Sequence, residues 1–138
     1  MKPRPAEDLR EGMEVLQPLM QGHGFEYRAG SEGKGSGGPF ASGSFVRGDR
    51  RLELHVRYSL GLVSYHVGFA SLDHESYMRL LGVYGSNRYP GFDGSNREVF
   101  ERLRDDLREF GGDFLSGSGS ALSTLPTNFS VIPASSRA

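Results

Sequence analysis

The chain has 138 residues, 16 basic and 17 acidic side chains, a net charge of −1 and no cysteine. That length suits one domain, and the missing cysteines exclude disulfides, thiolate metal sites and thiol catalysis. Acids and bases alternate without a basic block, so neither nucleic acid nor an anionic membrane is expected as a partner, and the apolar runs are too short for a membrane span.

The first predicted element is a helix from Glu7 to Met20, with Leu9, Met13, Leu16 and Met20 forming one apolar stripe. Pro18 cannot donate its amide, so this helix is expected to kink or end near Gln17. Phe25-Glu26-Tyr27 reads as a short strand, and the glycine-rich run from Gly30 to Gly38 as a flexible connector. Phe40 to Arg47 is the next strand. Gly48-Asp49 then matches a two-residue hairpin turn, which pairs Phe45 with Leu52, Ala41 with Val56, Ser42 with His55 and Ser44 with Glu53.

Arg51 to Phe69 reads as a hairpin. Leu52, Leu54 and Val56 alternate with Arg51, Glu53, His55 and Arg57; Val63, Tyr65, Val67 and Phe69 alternate with Ser64, His66 and Gly68. With Leu60-Gly61 as its loop, Val56 faces Tyr65, Leu54 faces Val67, and His55 faces His66 on the polar side. A short helix is expected from Ser71 to Leu81. The irregular loop that follows carries Tyr84, Tyr89 and Phe92. Ser95-Asn96-Arg97-Glu98 is a capping box that starts a third helix, with Phe100, Leu103, Leu107 and Phe110 as its buried stripe.

These elements predict an α+β fold: an antiparallel β-meander of three to four strands with about three helices on one face. One domain is expected over residues 1–115. Residues 116–138, uncharged until Arg137, are expected to form a disordered Ser/Gly/Pro-rich tail.

The polar strand face carries the one constellation with chemical character. Opposed side chains have Cβ atoms about 5 Å apart. Two imidazoles at that spacing, His55 and His66, together with Glu53 form a two-histidine, one-carboxylate set for a divalent metal ion. Without a metal, a histidine beside Arg57 could act in acid–base chemistry. Other motifs lack their context. Gly33, Gly35 and Gly38 fit G-x-G-x-x-G, but Pro39-Phe40 leads into a strand rather than the helix that would hold a pyrophosphate. Arg47-Gly48-Asp49 is a hairpin tip, and no nucleophile elbow is present.

The order helix, Gly24-Phe25, strands, Tyr58-Ser59-Leu60-Gly61, Tyr65-His66-Val67-Gly68, helix ending Leu81-Gly82 resembles the layout of small bacterial α+β proteins, some of which act as immunity partners of contact-dependent toxins. The resemblance spans roughly residues 5 to 115. It implies a bacterial protein with a toxin as partner. The preponderance of arginine over lysine, as in GC-rich bacterial genomes, agrees with that source. Met1-Lys2-Pro3-Arg4-Pro5 lacks an apolar signal core, so the cytoplasm is the expected location.

The leading expectation is therefore a non-catalytic protein-binding module, monomeric or homodimeric and without a cofactor. Its contact candidates are Glu53, His55, Arg57 and His66 on the strand face and Tyr89 in the aromatic loop. The alternative is a small metal-dependent or acid–base enzyme using the His55/His66 face.

Overall fold

The computed structural model describes residues 4–35, 38–91 and 93–123. Pro5 opens helix α1 (Pro5–Gly22), where a proline ring is pre-set for the first turn and its missing amide costs nothing. Leu9, Leu16 and Met20 are buried as their spacing predicts, and Met13 is half-buried. Pro18 does not end the helix, which runs on to Gly22; the ring removes one amide donor and the packed stripe carries the chain past it.

The sheet corrects the expected strand count. It has five antiparallel strands in sequence order: β1 (Glu26–Gly35), β2 (Gly38–Arg47), β3 (Arg50–Val56), β4 (Leu60–Val67) and β5 (Ala70–Asp73). The glycine-rich run is mostly strand: it forms the second half of β1, pairing Gly33 with Phe40 and Lys34 with Pro39, while residues 36–37 lie outside the described residues. A bulge between Ala29 and Glu32 interrupts that pairing. Ser42 staples it: its Oγ accepts from the Ser31 amide at 3.0 Å and donates to the Ser31 carbonyl at 3.3 Å. Gly30 fits because a Cβ there would stand 2.6 Å from Ser42 Oγ.

The β2–β3 register is the expected one, with Phe45 opposite Leu52, Ala41 opposite Val56, Ser42 opposite His55 and Ser44 opposite Glu53. The β3–β4 register is not. The turn runs through Arg57, Tyr58 and Ser59, closed by the Arg57 amide on the Ser59 carbonyl. Leu60 is already a buried strand residue. Leu54 therefore faces Val63 rather than Val67, and Leu52 faces Tyr65 rather than Phe69. His55 lies opposite Leu62, and His66 opposite Arg51. Phe69 sits in the β4–β5 turn, fully exposed.

The helix expected from Ser71 starts later: Ser71 to Asp73 form, with Ala70, strand β5 against β4, and Asp73 then caps α2 (His74–Leu80) by accepting from the Ser76 amide at 2.8 Å. α3 (Asn96–Phe110) starts with the predicted reciprocal capping box of Ser95 and Glu98. α4 (Gly112–Leu115) and α5 (Ser120–Ser123) follow, with Leu122 buried. Thus part of the expected tail is helical; residues 124–138 lie outside the described residues.

α1 and α3 cross where Gly12 leaves no side chain: a Cβ would stand 2.3 Å from the Phe100 ring. Phe45, Leu52, Leu54, Val56, Val63, Tyr65 and Val67 point into the same core. Buried Arg50 shares this face and spends its charge on main-chain oxygens, donating to the carbonyls of Asp113, Phe114 and Gly117. Arg47 likewise bonds the carbonyls of His23 and Leu115. Two arginines of one hairpin thus hold the segment after α3 onto the sheet. No helix among the described residues is long and apolar enough to cross a membrane.

Candidate functional site

Strand alternation sends one set of side chains into the core and leaves the other set facing away from it. On that second face lie Arg51, Glu53 and His55 of β3, with Phe40, Ser42, Ser44 and Val46 of β2 on one flank and Leu62, Ser64 and His66 of β4 on the other; Arg57, in the turn after β3, lies over Phe40 at its end. Among the described residues no helix covers it. The side chains of His55, Glu53 and His66 are 42, 31 and 24% exposed, against zero for Leu52 and Leu54 from the same strand.

Glu53 is the hub. Its Oε2 lies 2.9 Å from His55 Nε2, its Oε1 lies 3.0 Å from His66 Nε2, and Arg51 Nη2 stands 3.5 Å away. The two histidines therefore do not face each other, as the expected register required. They flank one carboxylate, His55 from the next same-face position of β3 and His66 diagonally from β4. Partial burial pushes the Glu53 carboxyl up, but the His55 hydrogen bond and the charges of His55, Arg51 and His66 outweigh it, so its pKa lies below the usual value. His66 titrates below its ordinary value: burial and the neighbouring Arg51 cation lower it more than Glu53 raises it.

For the metal alternative, each imidazole already points a nitrogen at a different Glu53 oxygen. Among the described residues no group of three or more His, Asp or Glu side chains is arranged to hold a metal ion.

Arg57 stands apart from the hub. Its Nη1 donates to the Gly38 carbonyl at 2.7 Å and its guanidinium lies 5.7 Å from the Phe40 ring centroid. Tyr89, the fifth contact candidate, is corrected by the structure. Its ring is buried at 6% exposure and packs edge-on against His74, and its hydroxyl donates to the Leu60 carbonyl at 2.7 Å. Tyr84 remains exposed under Arg79, while Phe92 lies outside the described residues.

A second polar constellation escaped sequence reasoning. His74, at the start of α2, places Nε2 3.0 Å from Asp106 Oδ2 and Nδ1 2.8 Å from the Tyr65 hydroxyl, all three side chains being buried. Asp106 also accepts from the amides of Arg88 and Tyr89. Burial pushes the Asp106 carboxyl up, but these bonds outweigh it and leave its pKa below the ordinary value; burial pushes the Tyr65 hydroxyl well above its own. Each ring nitrogen of His74 is taken up by one of these two partners, so neither is left for a substrate. This network pins the loop after α2 to α3.

An open cleft of about 720 Å³ lies beside it, bordered by Leu62, Asp73, Glu75, Tyr84 and Arg88. The signal for this network was Asp106 itself, a charge on the apolar stripe between Leu103 and Leu107. Comparison of the chain with family models, with curated proteins and with solved structures returns no match.

Proposed function

We propose that this chain is a protein-binding module whose partner docks on the open sheet face centred on Glu53. The carrying observation is the contrast between the two faces of β3. One is wholly buried; the other holds a pre-assembled cluster of Arg51, Glu53, His55 and His66 with no described helix above it. A cluster already held together loses less side-chain freedom on association than isolated charges would, and it favours a partner of matching charge pattern. A toxin held inactive by the complex is the partner that the resemblance in layout implies.

The test is a face variant carrying Arg51→Gln, Glu53→Gln, His55→Gln and His66→Gln, beside an α3 control, Arg97→Gln. Urea unfolding of each protein checks that the fold is retained. Wild type and control should bind the same partner, while the face variant should bind it at least about 30-fold more weakly, as expected when an interface centre is removed. Equal binding by all three proteins rejects the face as the docking surface.

A further inference from the structure

We infer that the partner anchors on the open face through an apolar side chain flanked by a carboxylate, seated in the hollow between Phe40 and Leu62 with the carboxylate on Arg57. The inference rests on the docking reading above and names the chemistry of one end of that face. The hollow, about 420 Å³, is lined by Phe40, His55, Val56, Arg57, Gly61 and Leu62. Leu62 is 42% exposed although it sits mid-strand, at the position opposite His55. Phe40, from the neighbouring strand, is half-buried. An aliphatic and an aromatic side chain thus stand open to one hollow, on a face whose only other apolar strand residue named above, Val46, lies opposite Arg51 at the other end, and apolar surface of that kind gains from being covered.

Charge selects the rest of the occupant. Three arginines stand on this face. Arg28 has Glu26 at 3.6 Å and Arg51 has Glu53 at 3.5 Å. Arg57 has no carboxylate within ion-pair distance among the described residues; it holds the Gly38 carbonyl with one nitrogen and lies over Phe40. A guanidinium has five donors in a planar fork, so one main-chain bond leaves most of the fork for a carboxylate. Phe40 and Gly38 fix Arg57 in place, which lowers the ordering cost of such a contact. A partner loop with an aspartate or glutamate next to a leucine or phenylalanine fits both features; a basic loop does not.

The probe is 3-phenylpropionate, which carries a phenyl group and a carboxylate, compared with 3-phenylpropanol, which lacks the charge. Each is titrated into the full chain and followed by amide resonances. Saturable shifts at Phe40, Arg57, Gly61 and Leu62, with the acid binding at least fivefold more tightly than the alcohol, are expected. Arg57→Gln should erase the difference between the two probes, and Leu62→Ser should weaken both. Equal affinity for acid and alcohol, shifts centred elsewhere, or no saturable shift overturns the inference. So does a change in the same resonances on simple dilution, which would give the hollow to a second copy of the chain. The face variant of the preceding section keeps Arg57, Phe40 and Leu62, and of the residues lining the hollow it changes His55 alone. Failure of the probe with loss of partner binding in that variant therefore removes this inference alone, whereas probe binding with unimpaired partner binding removes the docking reading.

Discussion

His74 and Asp106 are joined by a 3.0 Å hydrogen bond inside the core, across 32 residues of sequence. The bond carries more than its own energy, because the same carboxylate holds the Arg88 and Tyr89 amides. Asp106→Ala would strand a buried imidazole N–H and two main-chain amides at once. A loss of about 3–5 kcal/mol in urea unfolding is expected, the range found when one partner of a buried polar pair is removed. A loss under 1 kcal/mol would show that the network contributes no stability of its own.

The same carboxyl sets an acid limit. Its folded pKa lies below the ordinary 3.8. The unfolded chain therefore takes up that proton first as pH falls. The contribution is fully present above about 3.8 and is lost as pH drops through the folded value. Asp106→Asn, measured from pH 6 to pH 2, should flatten the acid limb relative to wild type. An unchanged slope would assign that limb to other carboxylates.

His66 offers a local readout of the Glu53 hub. Burial and Arg51 lower its pKa while Glu53 raises it. Glu53→Gln should move the His66 titration further down, and Arg51→Gln should move it up, both followed by imidazole proton shifts. Movement in the opposite sense would mean that the hub does not persist in solution.

Gly12→Ala separates helix propensity from packing. Alanine gains about 1 kcal/mol over glycine in an exposed helix interior. Here the new methyl meets the Phe100 ring at 2.3 Å, and overpacking of this kind costs about 1–3 kcal/mol. Net destabilisation is expected, with recovery in Gly12→Ala/Phe100→Leu. A stabilised single variant would show that α1 and α3 can move apart freely.

Arg50 binds three carbonyls from the segment after α3. Arg50→Lys keeps the charge but lacks the planar fork, so about 1.5–3 kcal/mol should be lost. Faster hydrogen exchange around Leu115 and Leu122 should accompany the loss. Unchanged exchange there would mean that the C-terminal helices hold without this clamp.

Local signals were legible in the sequence. The apolar stripe of α1, the Ser95–Glu98 capping box and the Gly48-Asp49 hairpin each depend on residues close in the chain. The β3–β4 register was not legible, for a physical reason. Moving Leu54's partner from Val67 to Val63 is a shift by an even number of residues, which keeps every side chain on its face. Alternation cannot tell such registers apart; the buried Leu60, held by Tyr89 from a distant loop, decides between them. The glycine-rich half of β1 was missed because glycine carries no side-chain pattern, and its pairing is written in β2. The membership of the polar face survived the register error intact, while the partners within it changed.

β1 is a ten-residue strand at the margin of the sheet, with its outer side unpaired by any other described strand. Such a margin invites the next molecule to add itself on. The Ser42 staple bends the strand at its centre, and Glu26, Arg28, Glu32 and Lys34 place charge along both halves. A flat neighbouring strand could match one half or the other but not both. The bulge and the row of charges thus work against one sheet growing onto the next along this edge.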